Sequence, residues 1–298
     1  RSPGIAIQNN SAAPDGKFTI RIRGSNSLQG SNDPLIVVDG FIGGDLATIN
    51  PNDISNIEIL KDASSTAIYG SRGANGVILV STKKGSLNKT TVEYNNFIGF
   101  QKISKKMDLL TAPEYAETVN INRIERGGSA VFTDSQIEAF REDGGTDWQD
   151  VVFREALQQS HQISVAGGTG SNTFYLSGSY VDNEGIIRGS SFNRYSFRSN
   201  IETNIGKKFK TGLNTFLSRS ENHPVVTGGD QDNSPTQGAL IWSPTLPVYD
   251  DQGNYTRPNA AFGPKSVNNP LAMAIEPIND NIGMQGELNS FVSVDIIK

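Results

Sequence analysis

From about Thr90 onward, apolar side chains recur at every second residue in one segment after another, and this period of two constrains the chain more than any other feature. It is the repeat of a β-strand whose two faces meet different surroundings. Thr90 to Gln101 sets Val92, Tyr94, Ile98 and Phe100 against Thr91, Glu93 and Asn95. Leu157 to Gly167 sets His161, Ile163 and Val165 against Ser160, Gln162 and Ser164. Thr173 to Asp182 gathers Phe174, Leu176 and Tyr180 on one side. Phe192 to Asn204 is the cleanest case, with Tyr195, Phe197 and Ile201 facing away from Arg194, Arg198, Asn200 and Glu202. Phe209 to Arg219 places Phe209, Leu213 and Leu217 against Lys210, Asn214 and Ser218. Met284 to Ile297 places Leu288, Val292, Val294 and Ile296 against Glu287, Asn289 and Asp295.

The connectors between these strands alternate in length. The first (about 102–156) is long, Gly167 to Asn172 is short, Asn183 to Ser191 is medium, Ile205 to Lys208 is short, and the last (about 220–283) is very long. Short turns at one end and long loops at the other are the layout of an outer-membrane barrel. Aromatic residues fall at two heights: Phe100, Tyr180 and Tyr195 at one, Tyr94, Phe174 and Phe209 at the other, as two interfacial belts would. A soluble antiparallel sandwich alternates as well, and period alone leaves it open. The mean hydropathy is −0.37, and no run approaches the roughly 18 apolar residues of a membrane helix. A spanning strand needs only about 9–11 residues with every second one apolar. The net charge of −5 offers no basic field for nucleic acid, and the absence of cysteine rules out disulfides and thiolate metal sites.

Residues 1–86 have a different texture and read as a small α+β unit preceding the strands of 87–298. Phe18, Ile20 and Ile22 alternate with Thr19, Arg21 and Arg23. Leu35 to Val38 is continuously apolar, hence buried on both faces, and ends in Asp39-Gly40. Ile54, Ile57, Ile59 and Leu60 form a second buried run, with Asn52 or Ser55 as cap of a short turn before it. That run carries Glu58 and Lys61, then Asp62. A helix over Ala63–Tyr69 is expected to stop at Gly70 in the left-handed conformation. A turn holding Arg72, Gly73, Asn75 and Gly76 leads to the strand Val77 to Thr82.

This order of pieces, DPLIVVDG followed by DISNIEILKDASSTAIYGSRGANGVILVSTKKG, resembles the second half of the plug domain of TonB-dependent outer-membrane transporters of the SusC/RagA-like group. The runs TDWQDVVFREALQQSHQISVAGG and YLSGSYVDNEGIIRGSSFNRYSFRSNI resemble the first barrel hairpins of the same group. The resemblance implies an α+β plug followed by strands of an incomplete transmembrane barrel, the family barrel being roughly 22-stranded with the plug in its lumen. It implies import of an oligosaccharide or peptide, energised by the TonB-ExbB-ExbD complex and assisted by a SusD-like surface lipoprotein, in the outer membrane of a Gram-negative bacterium. A siderophore-type receptor is the nearest rival, and a soluble or surface glycan-binding protein the rival of another class. The plug motif it transfers comprises Asp39, Gly40, Glu58, Lys61, Asp62, Tyr69, Gly70, Arg72, Gly73, Asn75 and Gly76. Plug–lumen contacts are expected among Arg21, Arg23, Arg194, Arg198 and Glu202. Arg1 is not an initiator and Leu288 to Lys298 reads as a strand in mid-course, so a segment of a longer exported protein is expected.

Import by a gated wall needs no catalytic group, and no cofactor or metal is expected. His161 and His223 lack partners at ligand spacing. Gly70, Gly73 and Gly76 lack the Lys-Ser/Thr ending of a phosphate loop. Turns at 230–233 and 250–254 gather oxygen ligands without a full calcium signature. In the first long connector, Thr111 with Glu114 and Thr133 with Gln136 are capping boxes for two helices that cover the barrel mouth. Trp148 and Trp242 are the candidate extracellular contacts, since tryptophan is enriched at interfaces; local packing is the alternative for both.

Overall fold

The computed structural model describes residues 5–9, 13–16, 18–22, 32–226, 234–257 and 268–296. Arg23, the turn at 230–233 and the last two residues lie outside that set. In the N-terminal unit, β1 (Ile5–Asn9) pairs antiparallel with β2 (Phe18–Ile22). A separate four-stranded sheet has the order β4-β3-β6-β5, built from β3 (Leu35–Val38), β4 (Phe41–Ile42), β5 (Ile54–Leu60) and β6 (Val77–Thr82). Asp39 and Gly40 both have positive φ (50° and 88°), so they form the primed two-residue turn that joins β3 to β4. Strand β6 lies between β3, parallel, and β5, antiparallel. Its central place explains why Val77, Ile78 and Val80 are all buried. Ile22, Val38, Ile49, Ile78 and Val80 form the core.

Three details depart from expectation. Strand β5 is not a buried run: it is an edge strand, and Ile57 is 48% exposed. The helix expected over Ala63–Tyr69 is split into α1 (Ala63–Thr66) and a 3-10 segment, Ala67–Gly73. Gly70, at φ 58° and ψ −145°, is a kink inside that segment rather than a left-handed stop. The short turn before β5 (Pro51–Asp53) is capped by Asn50, whose side chain accepts from Asn52 N at 2.9 Å, two residues earlier than the nearer expected cap.

The second unit is a single six-stranded antiparallel sheet in sequential order: β7 (Thr91–Gln101), β8 (Ala156–Thr169), β9 (Asn172–Glu184), β10 (Ser191–Ile205), β11 (Phe209–His223) and β12 (Asn281–Val294). The register aligns Ile163, Gly178, Phe197, Leu217 and Gly286 in one row and Ser164, Ser177, Arg198, Phe216 and Glu287 in the next. One face is therefore predominantly apolar and the other predominantly polar. The apolar face is exposed, from Val92 and Phe100 through Ile163, Phe197 and Leu217 to Leu288 and Val292. A sandwich would press that face against a second sheet; here the N-terminal unit covers the polar face instead.

The long connectors carry α2 (Ala112–Glu125), α3 (Asp134–Asp143), α4 (Trp148–Val152), α5 (Pro235–Ile241) and α6 (Pro270–Ile275). Glu114 accepts from Thr111 N at 2.9 Å and Thr111 Oγ1 at 2.7 Å. Thr133 and Gln136 cap α3, which ends at Gly144 with φ 79°.

Candidate functional site

The site is the seam where the N-terminal unit meets the polar face of the sheet. Its centre is Asp53, at the end of the Pro51–Asp53 turn and 2% exposed. The backbone of Asp53 is fixed within its own unit: its N–H donates to Asn50 O at 2.9 Å and its carbonyl accepts from Lys83 N at 2.7 Å. The side chain projects into the sheet. Asp53 Oδ1 accepts from Gln162 Nε2 at 2.5 Å, Tyr175 OH at 2.8 Å and Ser177 Oγ at 2.7 Å. Asp53 Oδ2 lies 3.6 Å from Arg198 Nε, an ion pair. Arg198 is itself buried and stacks its guanidinium 4.8 Å from the Phe216 ring centroid. A carboxylate taken from water needs this density of donors, because a buried charge without them costs several kcal/mol.

A second cluster sits beside it. Asn200 Nδ2 donates to Thr82 Oγ1 at 2.7 Å and to Lys83 O at 2.8 Å. The Thr82 hydroxyl donates onward to Asp39 Oδ2 at 2.6 Å, and Thr82 N donates to Asp39 Oδ1 at 2.8 Å. The acid of the β3–β4 turn thus orients the threonine that the sheet grips. Next along, Glu202 is bridged by Lys84 at 2.5 Å and Lys210 at 2.7 Å. Arg194 Nη1 donates to Ala47 O. The segment joining the two units then runs over the β8–β9 turn. A Cβ at Gly85 would fall 2.2 Å from Gly167 O and 2.3 Å from Phe174 O, and Asn88 N donates to Gly168 O at 2.9 Å.

Of the residues singled out from sequence, Arg194, Arg198 and Glu202 meet the N-terminal unit in this way. Arg21 is exposed on β2, and Arg23 is outside the described residues. Asp39 and Gly40 build the turn behind Thr82; Gly73 and Gly76 are buried in the unit, Gly76 against Ile22. Glu58, Asp62, Gly70 and Arg72 are exposed, while Lys61, Tyr69 and Asn75 are half-buried; none of these lies in the clusters just described. Lys83 N–H serves Asp53, and its side chain pairs with Glu93 at 3.4 Å.

Trp148 and Trp242 require a correction. They are 3% and 6% exposed and pack edge to face with centroids 5.0 Å apart. The indole of Trp148 donates to Ser243 O at 2.9 Å. With Val152, Ile187, Ala239 and Ala274 they form a core that ties α4 to α5 and α6. The two rings hold the long connectors to each other, so they are not surface contacts.

Sequence reasoning missed Asp53, Tyr175 and Ser177. Asp53 follows Pro51-Asn52, where an acid reads as a turn residue. Tyr175 breaks the alternation, lying on the polar face between outward Phe174 and Leu176; a bulky aromatic on the wrong parity was the available signal.

Comparisons with known proteins agree with this geometry. A family model described as the TonB-dependent Receptor Plug Domain matches residues 1–77. The chain is 34% identical over 302 residues to TonB-dependent receptor P3 of Formosa agariphila, covering all of this chain and 28% of that protein. It is 34% identical over 331 residues to TonB-dependent receptor SusC of Bacteroides thetaiotaomicron, covering 98% of this chain and 30% of that protein. Among solved structures, the RagAB peptide importer in its open-open state superposes with a TM-score of 0.82 at 26% identity, over 100% of this chain and 36% of that one. The chain thus spans less than a third of the length of these curated relatives.

Proposed function

The chain belongs to the SusC/RagA-like TonB-dependent receptors, its α+β unit being part of their plug and its sheet part of their barrel wall, and from this we propose that the receptor imports a nutrient, an oligosaccharide or a peptide, across the outer membrane of a Gram-negative bacterium. The observation that carries the reading is the insertion of the plug acid Asp53 among Gln162, Tyr175, Ser177 and Arg198 of the wall. Together with the Thr82–Asn200 and Lys84–Glu202 contacts it makes a closed seam.

A seam held by buried charge-assisted hydrogen bonds, each worth about 1.5–3 kcal/mol, does not open for a passing solute by itself. It calls for an energy source, supplied in this reading by the TonB-ExbB-ExbD complex drawing on the inner-membrane proton gradient. The helices α2 to α6 lie over the ends of the wall from which the long loops emerge, where a SusD-like lipoprotein delivers the solute. In this reading the residues of the seam hold and release the gate.

The test is uptake in the native host. A strain lacking the whole receptor is expected to lose accumulation of labelled oligosaccharides or peptides, and to regain it on complementation only while the proton gradient is intact. Accumulation that survives deletion of the receptor, or collapse of the gradient, refutes the proposal.

A further inference from the structure

The apolar face of the wall is not uniform. Between β10, β11 and β12 it is indented by a shallow groove of about 480 Å³. Tyr195 and Phe197 stand on one side, Met284 on the other, and Leu217 lies between them. Gly286, opposite Leu217, leaves the groove open where a side chain would otherwise project. The groove ends at Arg219, which the register sets between Tyr195 and Met284.

A cation on a surface that faces hydrocarbon needs an explanation, because at mid-depth it costs about 2–4 kcal/mol and only near the interface does the cost fall away. The neighbouring aromatics fix its depth. Tyr180 and Tyr195 stack with centroids 4.7 Å apart, and tyrosine pairs of this kind mark the headgroup level. Arg219 spends its Nη2 on Glu221. A guanidinium presents five N–H donors in a fork, so one carboxylate on Nη2 leaves further donors to meet an anion. The arrangement is an apolar trough capped by a forked cation at headgroup height. The geometry points to a site for a single phosphate-bearing lipid, with an acyl chain in the groove beside Gly286 and the phosphate on Arg219. Charge favours the phosphate: a guanidinium pairs with it through two parallel hydrogen bonds, whereas a neutral glyceride offers only uncharged ester and hydroxyl oxygens. The inference rests on the outward orientation of this face, and not on which solute is carried.

The experiment uses the whole receptor, delipidated in detergent and titrated with dioleoylphosphatidylglycerol, dioleoylglycerol or inorganic phosphate, with bound adducts read by native mass spectrometry. The phospholipid is expected to bind as one tight adduct, and the two fragments of its chemistry are not. Arg219→Gln is expected to weaken that adduct about tenfold or more, the loss of a charge-assisted hydrogen bond. Gly286→Leu, which fills the trough, is expected to do the same. A Cβ there meets only Leu217 at 3.4 Å, so the barrel should fold, and retained heat-dependent gel mobility verifies this. Should Gly286→Leu fail that control, Arg219→Gln at the exposed rim carries the test. Equal phospholipid binding by the native receptor and Arg219→Gln overturns the proposal. So does inorganic phosphate binding as tightly as the lipid, which would assign Arg219 to free anions.

Discussion

Asp53 concentrates the seam into one side chain, and its replacement separates charge from shape. Asp53→Ala removes the acceptor of three hydrogen bonds and strands Arg198 in a site that is nearly dry. Leaving one member of a buried pair uncompensated costs about 3–5 kcal/mol. The whole receptor carrying Asp53→Ala is expected to leak ions in a planar bilayer, where the native receptor stays closed. Asp53→Asn retains an acceptor oxygen and should leak less. Combining Asp53→Ala with Arg198→Met removes the stranded charge and should recover part of the seal; identical conductance across the series would show that the acid does not close the gate. The wall half of this site was legible from parity alone, because Arg198, Asn200 and Glu202 had to share a face once Phe197 and Ile201 shared the other. Asp53 was not legible. Its partner Gln162 is 109 positions away, and nothing in the local pattern distinguishes an acid that ends a turn from one that docks into another unit.

Elements differ in how far sequence determines them. Strands of 13–15 residues such as β9, β10 and β11 repeat their two-faced signal often enough to fix face and direction. Strand β5, at seven residues, does not reveal whether it is central or at an edge, and its apolar content misled. For Trp148 and Trp242 the sequence leaves surface contact and local packing both open for a similar reason: their burial depends on α5 and α6, brought in from the far end of the chain. The joining segment offers a sharp test. Gly85→Ala places a methyl group into the backbone of Gly167 and Phe174, and overpacking of this kind costs about 1–3 kcal/mol. Faster amide exchange over residues 83–90 is expected, with the core of β6 unaffected. In the helices of the first long connector, the hydrogen bonds from Thr111 hold Glu114 below the usual glutamate range. A depressed folded value means that this cap contributes fully above the unfolded glutamate pKa and is lost as pH falls through the lower folded one. Protection at the first turn of α2, the exchange rate divided into its intrinsic rate at each pH, should therefore be flat through neutral pH and fall only in that acid window, and Glu114→Gln should abolish the transition.

At the scale of the molecule, the fold sorts side chains into three zones: an apolar exterior, a polar seam and a helical cap over one rim. The exterior makes the plainest prediction. Ile163 lies near the middle of β8 and is 55% exposed. Ile163→Arg should cost about 2–4 kcal/mol of insertion, read as a lower yield of heat-modifiable receptor in lipid vesicles, whereas Ile163→Leu should be silent. The seam has a subtler consequence. Among the described residues, Gln162 Oε1, Arg194 Nε and Asn200 Oδ1 are enclosed there without a protein partner, and groups of this kind regain hydrogen bonds once water reaches them. Parting the two surfaces therefore returns some of the energy spent, and each wetted surface remains at ease in an aqueous pore. An oily joint, once pulled apart, would stick to whatever it next touched; in the proposed importer this one can be rinsed and reclosed cycle after cycle.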